Sequence, residues 1–295
     1  MQSRRTGRLP GVLNVTIAAA LTAAACAIQS PGTTASANGI LTPTAARSSA
    51  TPQSGTLWLI FLDDLHVDFR STGYLRALLR TICTELVQAG DMVGIVSTGP
   101  SSISIDLTDD RRQILNGIGK ATGSAMALAD LFRVSQQNSS QPGEVLYRIA
   151  VSVSTAFDVV AQLGKVKHPR KAFIYVSSGY YIDLPPDGGA IGSNDGLVAR
   201  RPLVKDLTVA VVRNELFGLV DQASRSGVKM FAVDSRRLGN PTQPDSNADP
   251  IWWQNYWATT RNSLRVMSER TGGFALLEEQ DLVEGLQRIN STVRN

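Results

Sequence analysis

Histidine and cysteine are scarce: the 295 residues hold two of each, and aromatic residues make up only 6%. No His-Glu-x-x-His, no paired Cys-x-x-Cys and no Gly-rich phosphate-binding loop occurs, which removes the common zinc-hydrolase, zinc-ribbon and nucleotide-binding classes. The stretch VSSGYY at 176–181 lacks the Gly-x-Ser-x-Gly elbow of esterases. Of the histidines, His168 precedes Pro169, so only His66 stands near the end of an apolar run. An acidic pair behind an apolar strand also occurs in phosphotransfer receivers and haloacid-dehalogenase-type enzymes. A receiver needs a phosphoacceptor aspartate after a later strand, and DMVGIVST ends without one; a dehalogenase needs Asp-x-Asp, but Leu65 stands two residues after Asp63.

The net charge of +4 and pI near 9.2 do not argue for nucleic acid. The first residues, MQSRRTGRLPG, carry Arg4, Arg5 and Arg8 without an acid, and seventeen uncharged residues follow from Val12 to Ile28. With Ala35-Ser36-Ala37 as a small-x-small cleavage site, residues 1–37 read as an export signal. An uncut anchor and a lipoprotein signal ending at Cys26 are the alternatives, and they supply the only expected membrane attachment. Once the three leader arginines are removed, the 29 bases and 25 acids nearly balance, so no electrostatic case for nucleic acid remains. Cleavage also leaves Cys83 alone, which excludes an intrachain disulfide. The expected location is the periplasm or the exterior. Residues 38–55, rich in Ser, Thr, Pro and Ala, read as a disordered linker.

Beyond the linker, strand-length apolar runs alternate with segments of helical period. LWLIFL at 57–62 is continuously apolar, as a strand buried on both faces is. Leu75, Leu78, Leu79, Ile82 and Leu86 mark one face of a helix. Strands are expected at 91–98, at 103–107 as a hairpin partner, and at 171–177, with further strands in GVKMFAVDS and GGFALLE; helices are expected at 109–120, 144–163, 209–226, around 259–271 and at the C-terminus. Residues 121–143 give no clear period. Two long insertions remain, 182–202 and RRLGNPTQPDSNADPIWWQNYW. The alternation implies one α/β domain over 56–293, a mostly parallel sheet with helices on both faces and ligands at the carboxyl ends of its strands.

The strand ending in Asp, the phrases RKAFIYVSSG and GVKMFAVDSRRL, and the ending LRVMSERTGGFALLEEQDLVEGLQRI together resemble a von Willebrand factor A (VWA) domain. More narrowly they resemble the VWA-related family of exported proteins in Acidobacteria and similar bacteria. The resemblance implies a three-layer Rossmann-like sandwich with six strands, one of them an antiparallel edge strand. It also implies a metal-ion-dependent adhesion site: Asp-x-Ser-x-Ser after the first strand, a loop Thr, and an Asp after the fourth strand, together holding Mg²⁺. Here Leu65 and Val67, or His66 and Asp68, stand at the two serine positions, and Ser177 or Ser178 at the later aspartate.

Candidate ligands for Mg²⁺, or for Mn²⁺ or Ca²⁺, are therefore Asp63, Asp64, Asp68, Thr122 and Ser178. Against that, Asp63 and Asp64 can cap the next helix or bond loop amides, and His66 beside Asp68 can be a surface pair. His66, Trp252, Trp253 and Trp257 are the candidate partner-binding residues, since Trp and Tyr dominate binding hot spots; a patch folded over its own domain is the plainer account of the tryptophans. The expected function is a protein-binding, adhesion or scaffold module with a degenerate metal site and an unidentified protein partner. The alternative is a metal-dependent hydrolase using Asp63, Asp64 and His66.

Overall fold

The computed structural model describes residues 55–136, 143–182, 184, 208–236, 249–277 and 282–295. The export signal, the linker up to residue 54 and most of both insertions lie outside these residues.

Strand β1 (Leu57–Leu62) is the centre of the sheet, and all six of its residues are buried. Strand geometry sends alternate side chains to opposite faces. Leu57, Leu59 and Phe61 enter one core, with α4 (Gly143–Lys165), α5 (Val209–Arg225) and α6 (Pro250–Glu269). Trp58, Ile60 and Leu62 enter the other, with α1 (Thr72–Leu86), α2 (Arg111–Lys120) and α7 (Leu282–Arg294). A strand with a helix layer on each side has no wet face, which is why its sequence shows no polar alternation.

The other strands are β2 (Met92–Ser97), β3 (Ser104–Thr108), β4 (Lys171–Ser177), β5 (Lys229–Asp234) and the short β6 (Ala275–Leu276). They lie in the order β3-β2-β1-β4-β5-β6, with every pairing parallel except β2 with β3. The expected three-layer α/β sandwich, a mostly parallel six-stranded sheet with one antiparallel edge strand, is thus the fold. From β1 the chain moves one way to β2 and β3 and the other way to β4, β5 and β6. This places a topological switch point between β1 and β4, where the carboxyl ends of α/β sheets open a crevice.

Two segments differ from expectation. Within 121–143 the chain forms α3 (Leu128–Gln136). The tryptophan segment is not part of an insertion: α6 starts at Pro250, nine residues before the expected start at 259, so 251–257 are helical. The start signal is local, with the Asp249 side chain accepting from Ile251 N at 2.9 Å and proline at the first position, where its missing N–H costs nothing.

Cys83 on α1 is partly buried against the core that holds Trp58, Ile60 and Leu62, and burial pushes its thiol up to about 12. In a chain lacking Cys26, thiol labelling at pH 8 is expected to be at least about 100-fold slower before denaturation than after it. Labelling at equal rates would place Cys83 outside the core.

Candidate functional site

Parallel pairing sets Leu62 beside Val176, and Asp63 N donates to Val176 O at 2.9 Å, so Asp63 leaves β1 directly beside Ser177 at the end of β4. Its side chain is wholly buried. Oδ1 accepts from Ser152 Oγ at 2.6 Å, from His66 Nδ1 at 2.9 Å and, more weakly, from Thr98 Oγ1 at 3.4 Å. Oδ2 accepts from Ser177 Oγ at 2.7 Å and from the Tyr180 hydroxyl at 3.0 Å, and that hydroxyl also pairs with the Tyr175 hydroxyl. Burial acts to raise the Asp63 pKa, but the charge of His66 and the hydrogen bonds of His66, Ser152 and Ser177 outweigh it and hold the carboxyl below its ordinary value. Burial and the Asp63 charge push both tyrosines well above theirs.

An ionised carboxylate only accepts, so His66 Nδ1 carries the proton toward Asp63 and Nε2 is the ring's remaining polar atom. The His66 ring stands edge-on to Tyr180, with centroids 4.9 Å apart. Gly179 completes this corner with φ of +77°; a Cβ there would lie 2.1 Å from Thr260 O, so the loop after β4 approaches α6 only because the residue is glycine.

Asp64 points elsewhere. Its Oδ2 accepts from Ser101 N at 2.8 Å in the turn between β2 and β3, and its carbonyl accepts from Ser124 N and Ser124 Oγ. Ser101 Oγ in turn bonds the Thr122 backbone at both N and O. Asp64 Oδ1 is buried and has no partner among the described residues. Burial chiefly raises the Asp64 pKa, against the hydrogen bonds from Ser101 and with help from the neighbouring Asp63 charge. Of the two structural roles open to these acids, binding loop amides describes Asp64; neither carboxylate caps a helix. Asp68 is an exposed cap of the next turn, accepting from Arg70 N at 2.9 Å and pairing with Arg70 Nη2 at 3.1 Å. His66 is therefore paired with Asp63 and not with Asp68. The Thr122 hydroxyl meets that of Thr72 at 3.5 Å, and Ser178 Oγ meets Ser235 Oγ at 2.9 Å.

Magnesium takes about six oxygens in near-octahedral array at about 2.0–2.1 Å. Asp63 has both oxygens occupied by its own chain's donors, Asp68 is paired with Arg70, and only one oxygen of Asp64 is unshared. As arranged, this donor set does not fit a divalent cation. Among the described residues no three of His, Cys, Asp and Glu stand together as a metal ion would require.

Beside His66 the chain encloses a cleft of about 140 Å³. Its polar lining includes His66, Asp68, Ser71, Arg148, Ser178 and Arg236, and Met126, Leu131, Trp253, Tyr256 and Trp257 supply apolar and aromatic surface. Arg148 is held by Glu144 at 2.7 Å and by Ser124 O at 2.7 Å. Arg236 forks onto the buried Asp234 at the end of β5, donates through Nη1 to Thr260 Oγ1 at 2.9 Å, and lies 4.0 Å from the Trp257 ring centre. Arg261 joins from 4.9 Å of the same ring and 3.7 Å of Asp234. Trp253 and Trp257 thus line the cleft, while Trp252 packs beneath, against Phe132, Tyr181 and Tyr256.

Sequence reasoning missed Ser152, Tyr180, Arg148, Asp234 and Arg236. Ser152 alone left a clear trace, a hydroxyl on the apolar stripe of α4 between Ile149 and Ala156. Among the described residues no helix is long and apolar enough to cross a membrane.

No family model matches the chain, and no curated protein matches it. Among solved structures it is similar to the vWF domain of the type V pili tip protein Mfa5 from Porphyromonas gingivalis, at 10% identity and a TM-score of 0.42, over 81% of this chain and 95% of that one. At that distance the likeness adds nothing to the strand order and pairing above, and it is these that make the chain a three-layer α/β sandwich with one antiparallel edge strand.

Proposed function

We propose that this chain is an exported recognition module, an adhesion or scaffold domain, that binds a protein partner through the cleft at the carboxyl ends of β1, β4 and β5. The observation that carries this reading is the cleft's lining: aromatic anchors on α6 and two arginines around an imidazole at the switch point of the sheet. Arginine and tryptophan are among the side chains that carry most of the energy in protein recognition.

The hydrolase reading has one observation in its favour, because a histidine oriented by a buried carboxylate is the arrangement of a general base. The hydroxyls nearby are committed, however: Ser152 donates to Asp63, and Ser178 pairs with Ser235. For the test, the mature protein and its Trp253→Asp variant are immobilised and exposed to the envelope proteins of the producing cell. A partner retained by the first and lost by the second is expected, with both forms equally folded by circular dichroism. Ester, phosphoester or glycoside turnover that His66→Asn abolishes would overturn the assignment.

A further inference from the structure

We infer that the outer edge of β3 is covered by the chain's own N-terminal segment, with residues 39–42 adding to the sheet as a further strand. β3 ends the sheet, and among the described residues no strand pairs with its far side. Ile103 turns both main-chain groups toward β2: its carbonyl accepts from Ser97 N at 2.9 Å and its N–H donates to Ser97 Oγ at 2.8 Å. By the alternation of an antiparallel pair, Ser104 then turns its N–H and carbonyl outward. Beside that edge lies a groove of about 460 Å³, with Ile103 and Ile105 on the strand side and Gln113, Asn116, Gly117 and Lys120 on α2. Its two sides meet closely, because a Cβ on Gly117 would lie 2.2 Å from Ile105 Cδ1. The half of β3 nearer Thr108 is guarded, since the pairing shifts register between Val93–Thr108 and Ile95–Ile105, and Asp106 stands within that bulge. From Ser102 to Ile105 the edge carries only serine and isoleucine, so strand addition is open there.

Reach and composition select this segment. β1 begins at Leu57, and the order β3-β2-β1 puts the open edge three strand spacings away, about 14 Å, and half the sheet's height up, about 8 Å. Residues 43–55 form a tether whose r.m.s. length as a flexible chain is about 20 Å and whose extended reach is about 43 Å. A tether matched to its span holds its end at roughly millimolar local concentration, so a strand too short to bind as a free peptide can dock. Within residues 38–54, Ile40 and Leu41 are the only bulky apolar side chains, in the run Gly-Ile-Leu-Thr that stops at Pro43. Proline has no N–H to give to a ladder and closes the strand. Ile40 and Leu41 turn to opposite faces, one of them into the groove beside Ile103 and Ile105. The β3 of a second copy fits less well, because its own bulge and Asp106 would enter the pairing. Once docked, residues 39–42 shield an edge that would otherwise template pairing with other chains.

Hydrogen exchange read by mass spectrometry tests this on the mature protein and on its variant carrying both Ile40→Asp and Leu41→Asp. Amides of residues 102–106 are expected to exchange at least about 10-fold faster in the variant, while those of β5 are unchanged. Equal exchange of 102–106 in the two proteins, or the same acceleration in β5, would overturn the proposal. Cross-linking checks the contact itself. Once residues 1–37 are removed, Cys83 is the remaining thiol, partly buried and protonated at neutral pH, so it does not compete. Under mild oxidation the pair Leu41→Cys and Asn116→Cys is expected to form an intrachain disulfide at least about 10-fold faster than the pair Ala50→Cys and Asn116→Cys. Equal rates would also overturn the proposal. A disulfide joining two chains, with protection of 102–106 that fades on dilution, would give the groove to a second copy and overturn the intramolecular assignment.

Discussion

Replacing Asp63 with asparagine is expected to destabilise the domain by about 3–5 kcal/mol, the cost of breaking a buried charged network by removing one member. Asparagine keeps the shape but offers one acceptor oxygen where the carboxylate has two. Its amide must then point two N–H groups either at Ser177 and Tyr180 or at Ser152 and His66, all of which donate to Asp63 now. Each buried donor left without an acceptor costs about 1–3 kcal/mol, and His66 also loses its counter-charge. Urea unfolding should show a lower midpoint with an unchanged slope. The pH dependence follows from the same bonds. The folded-state pKa of Asp63 lies below its unfolded value, so its contribution is fully present above about pH 4 and is lost as pH falls through the lowered value. Asp63→Asn should therefore flatten the acid limb of the stability curve as well as lower its plateau. A change below about 1 kcal/mol would mean that these five donors find other acceptors.

The fold was legible in the sequence because it rests on period, a local property. LWLIFL announces burial on both faces, and the 3.6-residue spacing of Leu75, Leu78, Leu79 and Ile82 announces a helix with one covered side. The start of α6 was obscured because a polar, proline-containing stretch runs straight into three tryptophans, although Asp249-Pro250 is an ordinary cap and first turn. The site was half legible. Asp63 and His66 stand close in sequence at a strand end, and their residue types suggest chemistry. Which of two adjacent aspartates faces the switch point is a matter of where the strand stops, and no local pattern reports that. The donors that define Asp63 are remote, Ser152 lying 89 residues away and Tyr180 lying 117. They meet only because α4 crosses over the sheet and β4 inserts beside β1.

At the opposite end of the sheet, Asp91→Ala is expected to cost about 3–5 kcal/mol, for a reason unrelated to the cleft. Asp91 lies in the turn from α1 into β2 and is almost fully buried. Oδ1 accepts from Thr56 N at 2.8 Å; Oδ2 accepts from Gln88 N at 2.8 Å and from the Trp58 indole N–H at 3.0 Å; the Arg294 guanidinium lies across both oxygens. One carboxylate thus ties the start of β1, the turn before β2 and the last turn of α7. Burial alone would raise its pKa, but the Arg294 bond and those of Gln88, Thr56 and Trp58 outweigh it and hold the carboxyl below its ordinary value. Its removal strands the buried Trp58 indole and Thr56 amide donors, while the Gln88 amide sits in an exposed turn. Arg294→Ala removes a partner that is one-fifth exposed and leaves all three N–H bonds intact, so its cost should be smaller, about 1–2 kcal/mol. The double variant should cost little more than Asp91→Ala alone, because the ion pair is already gone. Equal effects of the two single substitutions would instead make the Arg294 pair, not the three N–H bonds, the source of the stability. Both variants should leave binding at the distant cleft unchanged wherever they remain folded, which separates this stability anchor from the site that His66 and Asp63 define.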